Sequence, residues 1–198
     1  MIKNVIFDIG NVLLDFCWKD HIARFGFQGE KADRIAQAMM LGPIWPKLDL
    51  GLESDEDILE QFVAHTPELE QEIRLVFSDL STIVREYEGS VDWIESLKAR
   101  GYHTYYLSNY GDRIRREAAK ELSFLQHMDG GIMSYTVHLA KPDPAIYQAL
   151  MERYGLKAEE CVFLDDTVRN VEAARALGME GIVVTSHEQA KKELETLL

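Results

Sequence analysis

The sequence holds only two cysteines, Cys17 and Cys161, in 198 residues. They are too few and too far apart for a disulfide framework or a thiolate metal site, and they read as free core thiols of a reducing cytosol. The six histidines (His21, His65, His103, His127, His138 and His187) form no H-x-x-x-H pair, which removes the usual spacing of a helical zinc site. No apolar run approaches the length of a membrane span. The opening Met1-Ile2-Lys3-Asn4 enters a strand directly, without the apolar stretch and cleavage site of a signal peptide, so a cytoplasmic location is expected. Basic residues are in deficit, 21 Lys and Arg against 34 Asp and Glu, for a formal net charge of −13. That balance argues against nucleic acid or an anionic membrane as partner. It leaves room for a small anionic substrate, which a metal and a few local donors can hold. There is no internal repeat and no low-complexity tract. What the chain does have is a 46% share of hydrophobic residues, enough for a real core, and a length that suits one domain, or one domain with a substantial insertion.

The organising stretch is Val5 to Asp15, V-I-F-D-I-G-N-V-L-L-D. Val5, Ile6 and Phe7 form a short apolar run rich in β-branched and aromatic residues, the pattern of a buried parallel strand. Asp8 follows at once, and Gly10 and Asn11 break the strand, since both tolerate the backbone angles of a tight turn. Such an aspartate lies at the carboxyl edge of the sheet, where open α/β sheets bind ligands.

From Phe16 to about Tyr87 the periodicity is helical and strand signals are few. Helices are expected over Lys19 to Phe25 and over Lys31 to Leu41, the latter stopped by Gly42-Pro43. Another begins at Ser54, a hydroxyl N-cap followed by Asp55, Glu56 and Asp57, and another at Thr66-Pro67-Glu68. This segment reads as a small helical bundle inserted after the first strand. From Gly89 the chain alternates. Helices are expected over Val91 to Arg100, Arg113 to Leu122, Ala145 to Tyr154, Asn170 to Leu177 and His187 to Leu197. Strands are expected over Thr104 to Leu107, Gly130 to Ser134, Cys161 to Leu164 and Gly181 to Val184. Strands separated by helices of this length imply a parallel sheet with right-handed crossovers.

Three apolar strands end in polar signatures: Asp8, Ser108-Asn109 and Asp165-Asp166. Between the last two lies Lys141, in the rigid turn Lys141-Pro142-Asp143-Pro144. All of these can converge on one sheet edge. Adjacent carboxylates are costly to bury unless a cation or protons neutralise them, and with Asp8 they make a hard, oxygen-only site suited to Mg²⁺. A lysine between two prolines is pre-placed to neutralise an anion. Taken singly, each of these residues has a plainer explanation: a strand-end acid, a helix cap, a surface turn, a solvated lysine. Together they supply what an aspartate nucleophile needs to hold a phosphoryl group: a cation, a lysine, a hydroxyl and backbone N–H groups.

In their order, F-D-I-G-N-V-L-L-D, L-S-N, K-P-D-P and F-L-D-D-T-V-R-N-V-E-A-A resemble the four motifs of the haloacid dehalogenase superfamily of hydrolases. The resemblance covers the whole chain. D-x-G-N-V with D-D-x-x-x-N is similar to a small bacterial subgroup that dephosphorylates α-D-glucose 1-phosphate, and the fourth motif to that of the N-terminal phosphatase domain of soluble epoxide hydrolase. The resemblance implies an α/β, Rossmann-like parallel sheet of order 3-2-1-4-5, with residues 1–15 and 88–198 as the core and 16–87 as an inserted α-helical cap. It implies Asp8 as nucleophile, forming an aspartyl-phosphate. It implies Mg²⁺ held by Asp8, the Gly10 carbonyl and Asp166, with Asp165 and Asn170 in support. Ser108 and the Asn109 backbone would bind phosphoryl oxygens, and Lys141 would neutralise the nucleophile and the phosphoryl charge.

One position departs from the superfamily pattern. Most of its phosphatases carry a second aspartate, a general acid and base, two residues after the nucleophile. Here that position is Gly10. Asp15, Asp20 and His21 are the nearby candidates to carry the proton instead. The expected function is a Mg²⁺-dependent phosphatase of a small phosphorylated metabolite, sugar phosphates first, acting as a monomer or weak homodimer. The alternative is a weakly active phosphometabolite-binding or regulatory member of the same fold. A dehalogenase is a third reading, and it leaves the Asp165-Asp166 pair without a purpose. Specificity is expected in the cap, where Trp18, Trp45 and Lys47 are candidates.

Overall fold

The computed structural model describes residues 1–198. Five strands form one parallel sheet: β1 (Asn4–Phe7), β4 (His103–Ser108), β5 (Gly130–Met133), β6 (Cys161–Asp165) and β7 (Glu180–Val183). Their spatial order is β5-β4-β1-β6-β7, which is 3-2-1-4-5 when only the strands of this sheet are counted. The first strand is central because its neighbours pair on both sides: Val5 faces Thr104 and Val162, and Phe7 faces Tyr106 and Leu164. Alternate side chains on β1 serve opposite faces. Val5 and Phe7 join one apolar cluster, and Ile6 joins the other with Leu107, Ile132, Tyr147 and Phe163. Both faces are therefore covered, as a parallel sheet requires.

Helices α6 (Ser90–Ala99), α7 (Asp112–Glu117), α8 (Pro144–Tyr154), α9 (Val168–Ala176) and α10 (His187–Leu197) connect or flank these strands. Their starts follow ordinary capping chemistry. The Asp143 carboxylate accepts from the Ala145 N–H ahead of Pro144, and Ser186 with Gln189 forms a reciprocal capping box. The helix expected over Arg113 to Leu122 is instead short. It ends at Glu117, and the chain tightens into a 3₁₀ segment, Ala119–His127. Carboxylates of this segment also serve the chain outside it: Glu117 accepts the Leu80 N–H and Glu121 the Glu86 N–H.

Between the first two sheet strands lie α1 (Trp18–Arg24), α2 (Gly29–Ala38), α3 (Pro46–Leu50), α4 (Asp55–His65) and α5 (Glu70–Phe77). The sequence contained a signal for α3 that its periodicity did not show: Pro46 in the first turn and Gly51, at φ 61, just past the end. The inserted helices are entered and left through a two-stranded antiparallel ribbon, where β2 (Leu14–Phe16) pairs with β3 (Val84–Glu86). Few strand signals were expected here, because three-residue strands carry no readable alternation. The larger apolar cluster runs from Phe7 and Leu164 of the sheet through Leu13 and Leu14 to Ile22, Phe62 and Phe77 of the inserted helices. Cys17 and Cys161 are buried and unpaired. Burial pushes both thiols up, to about 12 and about 11.

Candidate active site

The chain turns sharply after β1. The Ile9 carbonyl accepts from Val12, Leu13 and Leu14, and Asn11 takes the positive φ of 56. Gly10 keeps a negative φ, contrary to its expected role in the turn; Asn11 takes the left-handed region instead, which asparagine visits more readily than most side chains. The turn leaves Asp8 at the carboxyl edge of the sheet, 8% exposed. Three donors meet its Oδ1: the Ile9 N–H at 2.7 Å, Ser108 Oγ at 2.7 Å and Lys141 Nζ at 2.8 Å. Its Oδ2 accepts no hydrogen bond. Burial pushes the Asp8 carboxyl up to about 7. Lys141 opposes the rise, and the neighbouring charge of Asp165 adds to it.

Lys141 is a buried ammonium between two carboxylates, 2.8 Å from Asp8 and 2.6 Å from Asp165 Oδ2. Burial disfavours its charge, yet the two carboxylates hold its pKa above the ordinary lysine value. Asn109 fixes the loop that carries it. The Asn109 side chain accepts the Lys141 N–H at 2.7 Å and donates to the Lys141 carbonyl at 3.0 Å. That double clamp on the lysine backbone was not visible in the sequence. The Asn109 backbone N–H itself makes no hydrogen bond.

Asp165 is fully buried and its oxygens are occupied: Lys141 donates to Oδ2, the Thr167 N–H to Oδ1, and Asn170 Nδ2 lies 3.1 Å from both. Asp166 is more open; Asn11 Nδ2 donates to its Oδ2 at 2.9 Å. Ligand atoms of Asp8, Asp165 and Asp166 lie within 4.8 Å of one another. Three carboxylates with one lysine leave negative charge for a cation, and the donors are all oxygen. The Gly10 carbonyl accepts no hydrogen bond, and Asn170 Oδ1 is a buried acceptor without a donor. Such a donor set suits a hard divalent ion such as Mg²⁺.

Above these residues is a cleft of about 220 Å³. Asp8, Gly10, Asn109 and Asp166 lie along it, with Phe16, Trp45, Tyr110 and Ile114 as an apolar wall and Asp49 from α3. The structure thus brings Asp8, Gly10, Ser108, Asn109, Lys141, Asp165, Asp166 and Asn170 together. It does not bring there the three residues considered as proton carriers. Asp15 accepts from the Cys17 thiol, Asp20 pairs with Arg85 on the surface, and His21 is buried against Thr82 and the Val76 carbonyl. Among the specificity candidates only Trp45 lines the cleft. Lys47 bonds Gln61 and pairs with Glu53, so its ammonium is spent within the inserted helices, and Trp18 lies outside the cleft under Lys19.

The chain is 36% identical to mouse bifunctional epoxide hydrolase 2 over 50% of its own length. It spans 19% of that enzyme, as it does of other curated relatives it matches. It is 26% identical to a phosphatase of Mycobacterium tuberculosis (strain CDC 1551 / Oshkosh), covering 96% of this chain and 90% of that one. A haloacid dehalogenase family enzyme of Bacteroides thetaiotaomicron, solved with magnesium and inorganic phosphate, shares the fold at a TM-score of 0.72 and 22% identity, over 94% of this chain and 96% of that one. The sequence profile of the haloacid dehalogenase-like hydrolases matches residues 2–178, and the chain belongs to that family.

Proposed function

We propose that this hydrolase is a Mg²⁺-dependent phosphatase of small phosphorylated metabolites, sugar phosphates first and α-D-glucose 1-phosphate among them, working through an aspartyl-phosphate. The observation that carries this is the setting of Asp8: one oxygen is held by Ser108 and Lys141 and the other is free, beside Asp166 at the floor of a cleft. The phosphatase of M. tuberculosis and the magnesium and phosphate bound by the Bacteroides enzyme support the same chemistry.

Asp8, Asp166 and the Gly10 carbonyl would hold the ion, and Asp165, saturated by donors, would orient its neighbours. When bound, Mg²⁺ would supply charge neutralisation at the phosphoryl oxygens and favour the ionised form of the Asp8 carboxyl. An oxygen of Asp8 attacks phosphorus, the ester P–O bond breaks, and an acyl-phosphate forms. Lys141 offsets the phosphoryl charge as a fixed cation. The Asn109 N–H, which makes no hydrogen bond, would donate to a phosphoryl oxygen, and the Ser108 hydroxyl would do so by turning from Asp8. Water then breaks the acyl-phosphate. Trp45 and Phe16 offer an apolar face to the organic part of the substrate, and the cleft's volume suits a small one. Helices α1 to α5, on their ribbon, would act as the cap that closes over it.

Phosphate release from a panel of sugar, acyl and aryl phosphates, with Mg²⁺ and with chelator, tests the proposal. Mg²⁺-dependent turnover of at least one sugar phosphate is expected. Binding without turnover across the panel would favour the regulatory alternative, and turnover unchanged by chelator would remove the metal.

A further inference from the structure

Breaking a phosphate ester leaves an alkoxide unless a proton reaches the departing oxygen, and the later attack of water needs a group to take a proton away. In the cleft, Asp8 is the nucleophile of the proposed reaction and Asp166 belongs to the cation site. Gly10, facing the same space, has no side chain. The one other carboxyl group along the cleft is Asp49, carried by α3 on the opposite wall.

The backbone that carries Asp49 is docked on the core. The Ser134 hydroxyl donates to the Asp49 carbonyl, and the His138 ring bonds the Leu50 carbonyl at 2.8 Å. Gly111 lets α3 approach, since a Cβ there would lie 3.2 Å from the Leu48 carbonyl oxygen. So Asp49 is held by contacts outside the inserted helices, as a group that must meet a core-bound substrate would have to be. Its own carboxylate, half-buried along the cleft, makes no hydrogen bond and no ion pair, so it is free to meet a substrate. Beside it, Tyr110 carries a buried hydroxyl that also lacks a partner.

We propose that Asp49 is the general acid and base of this site: it protonates the leaving oxygen and then deprotonates the attacking water. The proposal rests on the phosphatase reading above. In the first half, the Asp8 oxygen bonds to phosphorus, the ester P–O bond breaks, and the Asp49 proton passes to the leaving oxygen, releasing the alcohol. In the second, the Asp49 carboxylate takes a proton from water as its oxygen bonds to phosphorus. The Asp8–phosphorus bond breaks, phosphate leaves, and both aspartates return to their starting forms. Burial, with the Asp8 charge adding and Lys141 opposing, pushes the Asp49 carboxyl up to about 7. A group so poised can carry a proton in either direction near neutral pH. Tyr110, whose ionisation is disfavoured chiefly by burial and further by the Asp49 charge, is the remaining titratable group on this wall of the cleft.

The test is Asp49→Asn, with an alkyl phosphate (glucose 6-phosphate) and an aryl phosphate of good leaving group (p-nitrophenyl phosphate) measured at saturating Mg²⁺. Formation of the acyl-phosphate, read as the burst of released alcohol or phenol, should fall by roughly a hundred- to ten-thousand-fold for the alkyl ester. For the aryl ester the burst should fall far less, because that leaving group departs as a stable anion. The alkaline fall in the parent's alkyl burst rate should vanish in the variant. A Cβ at Gly10 meets nothing within 4 Å, so Gly10→Asp in the Asp49→Asn background should restore part of the alkyl rate, which also shows that the variant is folded. Equal losses for both esters, or none, would overturn the role of Asp49 while leaving the phosphatase standing. Absence of Mg²⁺-dependent turnover in the parent would overturn both.

Discussion

Lys141→Met removes the one cation buried among the carboxylates of the site while keeping the length of the side chain. The ammonium is 2.8 Å from Asp8 and 2.6 Å from Asp165, and its side chain is 1% exposed. Removing one partner of a buried ion pair costs about 3–5 kcal/mol, because the other charge is stranded. At 1.4 kcal/mol per decade this is roughly a hundred- to several-thousand-fold in the folding equilibrium. The stranded carboxylates can escape by taking up protons, so the cost depends on pH. The sign is fixed by Asp8, whose folded pKa of about 7 stands above the ordinary 3.8. A carboxyl raised in the folded state favours folding at low pH, and that contribution is lost as pH rises through the folded value. Lys141 lowers the Asp8 pKa, so without it the carboxyl rises further and the loss extends to higher pH. Urea unfolding of parent and variant at pH 5 and pH 8, in chelator, measures the effect. The variant should be slightly weakened at pH 5 and strongly at pH 8. A loss below about 1 kcal/mol at pH 8, or equal losses at the two values, would refute a lysine that neutralises buried carboxylates.

Asp166→Asn should raise the Mg²⁺ concentration needed for half-maximal turnover, since it removes a charged oxygen ligand; an unchanged titration would place the metal elsewhere. Trp45→Leu should reorder the substrates of the phosphate panel without moving that titration, because Trp45 lines the cleft with an apolar ring that offers an ion no ligand. His21, fully buried, has its pKa lowered below 6.5 chiefly by burial. The unfolded chain therefore binds the proton more readily, and the stability His21 confers above 6.5 is lost as pH falls. Thermal melts between pH 7.5 and 5 should show that slope in the parent and a shallower one in His21→Gln.

Where the sequence was explicit, the reason is local. Val5 to Phe7 and Val162 to Leu164 are continuous apolar runs ending in carboxylates, so both the buried strands and the acidic edge could be read from neighbouring residues. The order 3-2-1-4-5 came through the family resemblance, since periodicity alone does not say which strands pair. What escaped depends on contacts between distant segments. The β2–β3 ribbon joins residues 14–16 to residues 84–86, and neither half has strand character of its own. The Asn109 clamp reaches Lys141 across α7, the 3₁₀ segment and β5. Asp49 looked like one acid among many, because its place in the cleft is set by Ser134, His138 and Gly111, all far along the chain. Conversely, Asp15, Asp20 and His21 were close to Asp8 in sequence, but the ribbon and α1 carry them away from it.

On the proposed mechanism Asp8 is phosphorylated during turnover. Acid quench within a single turnover of a phosphate ester, followed by mass spectrometry of the proteolysed chain, tests it directly. The peptide carrying Asp8 should gain one phosphoryl group, the gain should appear and decay at catalytically competent rates, and Asp8→Asn should abolish both the label and phosphate release. A label on another residue, or phosphate release by Asp8→Asn at a rate near the parent's, would contradict it.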